Sequence, residues 1–244
     1  MIAQAQTISA LLLDARRTRV PLPWGAVLPL DRAGAYAIQD ATLAGLGPTG
    51  GWKVGAKGPQ FEPICAPLPA SGVLQSGAPL TGEAWRLRGI EVELGLRVGR
   101  DPRGCANVLD AFDAVVPVIE VVETRLADWR TSNPLAQLAD LQSHGALIVG
   151  EPLVTRLDDL DLRTLSASLS FDGTPVATTV GGNPAVDLAR LLNWLVDHCA
   201  QRGTPLLPRQ IVTTGSCTGM HFADECSLVQ ARIVGIGTVE LSFA

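Results

Sequence analysis

Several residue types that mark common protein classes are scarce in this chain of 244 residues. Aromatic residues make up only 5%, although apolar residues make up 47%. We therefore expect a globular chain whose core is built mainly from Leu, Val, Ile and Ala. Basic residues are scattered without a Lys/Arg run, and the formal net charge is -5. A nucleic-acid surface needs a basic patch, so we expect no nucleic-acid partner.

The five cysteines form no CxxC pair, which argues against the usual zinc and dithiol motifs. Nowhere do apolar residues run unbroken for the roughly 20 positions that a membrane-spanning helix needs. The short apolar run 8–13 lacks a preceding basic stretch and is followed by Asp14, Arg16 and Arg17, so it predicts a helix and not a signal peptide. We expect a cytoplasmic protein with reduced thiols and no membrane partner.

Helical signals dominate the first 50 residues. Two helices are predicted, at about residues 3–18 and 32–45, with Asp31 as the N-cap of the second. A short strand is expected at 52–54. We interpret the Pro/Gly-rich stretch from there to about residue 80 as an ordered loop.

Strand signals dominate the rest of the chain. Apolar alternation or continuous apolar runs predict strands near 89–99, 116–122, 145–150, 163–171, 209–214 and 226–243. One helix is expected near 107–115, with Asn107 as its cap. Another begins with Asn183 as the cap and Pro184 in the first turn, and ends before Gly203.

The order of these elements indicates a single α+β domain that covers residues 1–244. No internal repeat, low-complexity tract or linker is evident in the sequence. Residues 1–50 are predicted to form an N-terminal helical part, and residues 51–244 a β-rich part that contains the candidate site residues described below.

Two carboxylates lie side by side in the stretch RGIEVELGLRVGRD, residues 88–101. Side chains alternate between the faces of a strand, so Glu91 and Glu93 share one face. A third carboxylate, Glu120, lies in an apolar run where burial is costly without a compensating charge. Oxygen ligands suit a hard ion such as Mg²⁺, whereas zinc prefers His or Cys. In the alternative interpretation, the first two glutamates are solvated and Glu120 pairs with an arginine.

Lysine is rare in this sequence. Only Lys53 and Lys57 are lysines among the 19 basic residues. An exposed lysine on a short strand is the ordinary interpretation of Lys53. In the functional interpretation, its ammonium neutralises a substrate carboxylate, or acts as an acid once it is partly desolvated.

Five segments follow one another in a specific order, although each motif alone is weak. They are GWKVG at 51–55, IEVEL at 90–94, PVIEVV at 117–122, Ala139-Asp140 with Ser143 and Gly145, and TGS at 214–216. In this order they resemble the 2-keto-4-pentenoate hydratase and 2-oxo-acid decarboxylase group of the fumarylacetoacetate hydrolase superfamily. The likeness extends to residues 35–39 and 235–239, and so covers nearly the whole chain.

The resemblance implies a fold, a metal and a substrate class. The fold would be the mixed β-sandwich or roll of that superfamily. Glu91, Glu93 and Glu120 would hold Mg²⁺ or Mn²⁺, which chelates the 1-carboxylate and 2-oxo oxygens of a small 2-oxo acid and stabilises a dienolate as a Lewis acid. Lys53 matches the family lysine that is expected near the substrate carboxylate or in proton transfer. A homo-oligomer is also implied.

Further candidates come from the family-like segments. Asp140 is a candidate catalytic residue, and Ser143, Gly215 and Ser216 are candidate substrate-binding residues. Serines in turns are common on structural grounds alone.

Two departures from the family pattern concern acid-base chemistry. Hydratases of this group usually carry an acidic residue just before the glycine that aligns with Gly72, where this chain has Ser71. Hydration would therefore need another base, for which Glu62 in the preceding loop is the candidate. Leu141 follows Asp140, where the family commonly has a polar residue.

The predicted function is that of a metal-dependent lyase that hydrates or decarboxylates a small 2-oxo acid from the breakdown of aromatic-derived compounds. One alternative is C–C hydrolysis of an acylpyruvate-like substrate. The hydrolytic branch uses a His-Glu pair, and none of His144, His198 and His221 precedes the lysine-containing strand as that pair requires. The other alternative is a non-catalytic relative that binds a metal and a 2-oxo acid.

Overall fold

The computed structural model describes residues 2–157, 160–225 and 227–244, within which the chain forms four α-helices and fourteen β-strands. Helices α1 to α4 span Ile2–Thr18, Arg32–Leu46, Pro134–Ala139 and Leu188–Gln201. Strands β1 to β14 span Thr49–Gly55, Ile64–Pro69, Val73–Gln75, Ala78–Leu80, Gly89–Val98, Phe112–Val122, His144–Val149, Leu153–Val154, Ser166–Phe171, Thr174–Val180, Ile211–Ser216, His221–Phe222, Leu228–Ile233 and Gly237–Phe243.

Two sheets form the β-rich part of the chain. Within the described ranges, the larger sheet has nine strands, seven of them in the order β2-β1-β11-β5-β6-β7-β3, with β12 paired to β5 and β8 to β6. It is mixed, because β1 runs parallel to β11 while β5 is antiparallel to both β11 and β6. The smaller sheet has the order β10-β9-β13-β14-β4, and its strands β13 and β14 pack against β6. The predicted α+β class is confirmed.

The N-terminal helical part packs beside the larger sheet. Helices α1 and α2 contact each other, and α2 also contacts α3 and β2. The predicted cap of α2 is confirmed, since the side chain of Asp31 accepts a hydrogen bond from the Gly34 N–H. Gly47 ends this helix with a φ of 105°, a conformation that glycine adopts without strain. In the parts of the chain that are described, no helix combines the length and the apolar character needed to cross a membrane.

The register of the central strands brings the candidate site residues together. Glu91 on β5 lies opposite Glu120 on β6, and Ser216 at the end of β11 lies opposite Glu93. Strand β1, which carries Lys53, runs alongside β11. The apolar residues of β5 are fully buried on the other face, each contributing about 1.5–3 kcal/mol. The strand that carries Glu91 and Glu93 is therefore held in place by its buried apolar face.

Two predicted segments differ from the structure between residues 56 and 115. The helix near 107–115 is wrong, because the chain makes only a short 3₁₀ turn at Val108–Ala111 before β6 begins. Asn107 does cap this turn, by accepting a hydrogen bond from the Leu109 N–H. The stretch interpreted as a loop up to residue 80 contains the short strands β2, β3 and β4.

Two further boundaries are corrected towards the C-terminus. The strand predicted for 226–243 is divided into β13 and β14, and Cys226 lies outside the described residues. Helix α4 begins at Leu188 with Asp187 as its N-cap, whose side chain accepts from the Arg190 N–H. Asn183 is therefore not a helix cap, and its side chain instead forms hydrogen bonds with the backbone of β11.

Candidate functional site

Three carboxylates meet on one face of the larger sheet. Glu91, Glu93 and Glu120 each offer one oxygen, and these oxygens lie within 4.8 Å of one another. Glu93 and Glu120 are buried, with 3% and 1% of their surface exposed, and Glu91 is partly buried. The solvated face proposed as an alternative is wrong, and the structure brings together the three glutamates that the sequence analysis selected as metal ligands.

Lys53 supplies a positive charge to this cluster. Its ammonium donates hydrogen bonds to the carboxylate of Glu120 and, at 3.1 Å, to the carbonyl oxygen of Gln142. Burial alone would lower the pKa of Lys53, but Glu120, Glu91 and Glu93 raise it above its ordinary value. The side chain is only 11% exposed. Lys53 is thus a buried, protonated ammonium, and the interpretation as an exposed surface lysine is wrong.

One ammonium does not balance three carboxylates. Burial, reinforced by Glu120 and Glu91, raises the pKa of Glu93 to about 8. The Nδ1 atom of His144 lies 3.6 Å from Glu120, but burial lowers the pKa of His144 to about 4 and keeps the imidazole neutral. Oε2 of Glu120 is buried and has no hydrogen-bond partner in the described ranges. The three carboxylates therefore cannot all ionise beside a single ammonium without a further cation, and the cluster has an unused acceptor.

This arrangement fits a divalent metal ion. Oxygens bound to one divalent ion at about 2.0–2.6 Å lie at most roughly 4–5 Å apart, and the three carboxylate oxygens lie within 4.8 Å of one another. An ion would also engage the unpartnered oxygen of Glu120 and offset the charge of the carboxylates once they ionise. A set made only of carboxylate oxygens suits a hard cation. The chain thus contains a possible metal-binding acidic cluster.

A cavity of about 600 Å³ opens at the cluster, a size typical of small-molecule sites. Its lining includes Lys53 and the three glutamates, together with apolar residues of the β1–β2 loop and of α3. Six exposed side chains line it as well and form its rim: Arg32, Lys57, Phe61, Glu62, Pro134 and Pro184. The cavity thus joins a buried charged end to an apolar wall and a charged rim.

The end of β11 fixes one side of the cluster. The N–H of Gly215 donates a 2.9 Å hydrogen bond to Oε2 of Glu93, and Gly215 and Ser216 line the cavity. The Asn183 amide donates to the carbonyl oxygens of Thr214 and Gly215 at 2.9 and 3.0 Å. The sequence analysis missed this role of Asn183. Its only sequence signal was a polar residue between glycine and proline, which also suits a helix cap.

Asp140 and Ser143 are placed differently from the sequence prediction. Asp140 is buried, and its carboxylate accepts from Arg125 and from the Thr124 hydroxyl and does not line the cavity. Ser143 is 8% exposed and is also absent from the cavity lining that the described residues form. The structure therefore places neither side chain on the cavity wall, and the roles of Asp140 in catalysis and of Ser143 in substrate binding stay predictions.

Glu62 does line the cavity, but at its rim. Its side chain is exposed and forms an ion pair with Arg32. A carboxylate in this position is solvated and already has a cationic partner. The geometry therefore gives little support to Glu62 as the base that replaces the missing loop carboxylate.

The histidines take no part in the cavity wall as far as the chain is described. His198 stacks on Trp194, with ring centroids 4.6 Å apart, and His221 lies 3.2 Å from the carbonyl oxygen of Thr218. His144 contacts Glu120 but is 1% exposed and does not reach the cavity. No histidine is thus positioned to activate a water inside the cavity, as the C–C hydrolase alternative would require.

The chain belongs to the fumarylacetoacetate hydrolase family, because residues 44–244 match the family model described as "Fumarylacetoacetate (FAA) hydrolase C-terminal". Within that class it is 32% identical over 162 residues to a 2-keto-4-pentenoate hydratase of Paraburkholderia xenovorans (strain LB400), a match that covers 63% of this chain and 58% of the hydratase. A 2-keto-4-pentenoate hydratase of Burkholderia vietnamiensis (strain G4) is 30% identical over 190 residues, covering 75% of this chain and 70% of the relative. The family predicted from the five motifs is confirmed.

A solved structure shows the same fold. The 4-oxalocrotonate decarboxylase from Pseudomonas putida G7, complexed with magnesium and adipate, matches with a TM-score of 0.86. The match covers 100% of this chain and 98% of the decarboxylase at 21% sequence identity. This confirms the predicted fold type, with the N-terminal helical part included.

Proposed function

We propose that this chain is a metal-dependent lyase that acts on a small 2-oxo acid. The observation that carries the proposal is the buried group of three carboxylates with one ammonium, on the wall of a cavity that has room for a small acid. The relatives named as 2-keto-4-pentenoate hydratases and as 4-oxalocrotonate decarboxylase support the same substrate class.

Glu91, Glu93 and Glu120 would hold the metal, which we propose to be Mg²⁺ or Mn²⁺. When bound, the ion supplies positive charge that polarises the head of the 2-oxo acid and stabilises negative charge developing on its oxygens. The magnesium in the similar decarboxylase structure supports this choice. Gly215 holds Glu93 in place through its backbone N–H, so this ligand is oriented before the ion arrives.

Lys53 would bind the substrate carboxylate and hold a proton at Nζ. Because its neighbours raise its pKa, the ammonium stays protonated and acts as a cation or an acid, not as a base. Ser216 lies on the cavity wall beside Glu91, where its hydroxyl would donate a hydrogen bond to a substrate oxygen. These groups orient the acid head towards the carboxylate cluster.

Between the two lyase reactions, the structure favours loss of CO₂ over hydration. Adding water needs a base to direct it, and the family's loop carboxylate is replaced by Ser71. Glu62 is paired at the rim and Asp140 is bound by Arg125, so neither is free for that task. Hydration remains the second candidate because of the similar hydratases.

The cavity rim favours a substrate with a second carboxylate. Lys57 is exposed at the rim and has no ion-pair partner in the described part of the chain, whereas Arg32 forms an ion pair with Glu62. Strand residues rise about 3.3 Å each, so Lys57 lies within roughly 13 Å of Lys53 along the chain. Lys53 and Lys57 thus offer one cationic group at the buried end of the cavity and one at its rim, as two carboxylates of one substrate would require.

The test compares two reactions of the Mg²⁺-loaded protein. We expect exchange of the C3 protons of simple 2-oxo acids for deuterium, followed by proton NMR, to be faster than hydration of 2-hydroxypenta-2,4-dienoate, followed by its ultraviolet absorbance. Efficient hydration would show that another group supplies the base and would favour the hydratase. Absence of both reactions would favour the non-catalytic alternative.

We also propose that the 244 residues form one domain and that the chain assembles as a homo-oligomer. Buried residues of α1 and α2 belong to the same core cluster as residues of both sheets, which supports a single domain. Large apolar side chains are exposed, including Leu30 at 90% and Val180 at 70%, which supports burial of such surface in an assembly. Sedimentation velocity tests the assembly. A cytoplasmic location and a role in aromatic catabolism remain predictions.

A further inference from the structure

A second cavity, of about 130 Å³, lies between the end of α1 and the segment that follows β6. It shares no lining residue with the cavity at the carboxylate cluster. Four arginines line it: Arg16, Arg19, Arg86 and Arg125. Since a water molecule takes up roughly 30 Å³ in the liquid, the space suits a few waters or one small ion.

Two of these arginines already have carboxylate partners. Arg125 donates to Asp140, and the guanidinium of Arg86 lies 3.8 Å from Glu123. Glu123 also accepts hydrogen bonds from two backbone N–H groups, at 2.8 and 3.1 Å. In each of these two pairs, the carboxylate offsets the charge of its arginine. The charges of Arg16 and Arg19 remain to be accounted for.

Arg16 and Arg19 form no ion pair with a carboxylate in the ranges that the structure describes, although the nearby carboxylates of Asp140 and Glu123 act to raise the pKa of Arg16. Arg16 donates one hydrogen bond, at 3.0 Å, to the carbonyl oxygen of His144. Its Nε is buried and has no hydrogen-bond partner among the described residues. Burial, and then the nearby guanidinium of Arg125, lower the pKa of Arg16 to about 9. The cavity thus offers guanidinium donors and positive charge but too few acceptors.

Arg19 stands where the backbone favours glycine. Its φ is 61°, directly after the last residue of α1, and its N–H donates to the carbonyl oxygen of Ala15 at 2.8 Å. A residue in this left-handed conformation at a helix end is usually glycine, because other side chains are strained there. The fold itself therefore does not need the Arg19 side chain, which nevertheless lines the cavity.

We propose that this arginine cavity binds a small oxyanion, of the phosphate or carboxylate kind, through the guanidinium groups of Arg16, Arg19 and Arg86. Guanidinium groups recognise such anions through paired, charge-assisted hydrogen bonds. An anion here offsets the charge of Arg16 and Arg19, for which the one hydrogen bond from Arg16 to the carbonyl oxygen of His144 does not compensate.

The experiment measures binding of inorganic phosphate, and separately of acetate, to the full chain by calorimetry. A chelator is present so that neither probe binds through a metal. We expect one site per chain for at least one of the two anions. The site should persist in Lys53→Met, which removes the ammonium of the carboxylate cluster and with it the other buried anion-binding charge.

Arg19→Gly is the decisive variant, because glycine suits the backbone at this position. We expect about a ten-fold or greater loss of anion affinity, while the melting temperature without anion stays the same or rises. Arg17→Met is the matched control. Arg17 is on the same helix but is exposed and paired with Asp14, so its loss should change anion affinity less than two-fold.

Four results would overturn the proposal. The first is that neither anion binds, and the second is that Arg19→Gly binds the anion as tightly as the unaltered chain does. Alternatively, binding disappears in Lys53→Met, which would place the anion at the carboxylate cluster instead. Finally, if Arg19→Gly changes the sedimenting mass of the protein and not its anion affinity, a second copy of the chain covers this surface.

Discussion

Changing Glu93 to Gln removes one of three crowded carboxylates while keeping the size of the side chain. Two unit charges no more than 4.8 Å apart repel by about 3 kcal/mol or more at an effective dielectric constant of about 20. Proton uptake relieves part of this repulsion, since the pKa of Glu93 is raised to about 8. We therefore expect the metal-free Glu93→Gln protein to be more stable than the unaltered chain by about 1–2 kcal/mol, or roughly 2–8 °C in melting temperature.

Magnesium should reverse this order. At a Mg²⁺ concentration about 100 times its dissociation constant, binding stabilises the unaltered chain by about 2.7 kcal/mol, which corresponds to a rise of roughly 5–11 °C. Glu93→Gln loses a charged ligand whose orientation is fixed by Gly215, so its melting temperature should barely respond to Mg²⁺. Thermal melting with and without Mg²⁺, followed by circular dichroism, measures both effects.

Glu62→Gln is the matched control for this prediction. Glu62 lines the same cavity but lies at the rim and pairs with Arg32 in an exposed position, where an ion pair contributes about 0–1 kcal/mol. Its Mg²⁺ response should equal that of the unaltered chain. The reasoning is refuted if Glu93→Gln is less stable than the unaltered chain without metal and still gains the full Mg²⁺ stabilisation.

Three further substitutions test the surroundings of the cluster. Lys53→Met keeps the apolar stem and removes the charge, so calorimetry with Mg²⁺ present should show oxalate binding weakened about ten-fold or more; unchanged affinity would contradict the role of the ammonium. Asn183→Ala leaves the carbonyl oxygen of Gly215 without its amide donor, which should cost about 1–3 kcal/mol in urea unfolding and weaken Mg²⁺ binding; an effect on neither would separate Asn183 from the site. Asp140→Ala leaves the buried Arg125 unpaired and should destabilise the fold by about 3–5 kcal/mol, whereas a stable but inactive variant would support a catalytic role.

The sequence predicted the strands that have a local apolar pattern and missed those that form only by pairing with another strand. Apolar alternation or continuous apolar residues mark β5 and most of β6, so both were located within a few residues except for the start of β6. Strands β2 and β4 contain prolines, and the sequence around them has no alternation. They form because β2 pairs with β1 and β4 with β14 at the edges of the sheets, where proline is tolerated.

The carboxylate cluster could be predicted for two physical reasons. Alternation placed Glu91 and Glu93 on the same face of β5, and the cost of burying a charge set Glu120 apart within its apolar strand. The pairing of β5 with β6 then aligned Glu91 with Glu120. That alignment could not be derived from either segment alone, because it depends on the register in which β5 pairs with β6. The composition of the chain between the two strands does not determine this register.

Asp140 shows why a residue within a family-like segment need not touch the substrate. Its carboxylate holds Arg125, and Arg125 donates at 2.9 Å to the carbonyl oxygen of His144. The ring of His144 in turn lies 3.6 Å from Glu120. These contacts connect Asp140 to the cluster through Arg125 and through the backbone and ring of His144. A buried polar residue indicates from sequence that a polar partner exists, but the identity of that partner follows from the packing of segments that are distant along the chain.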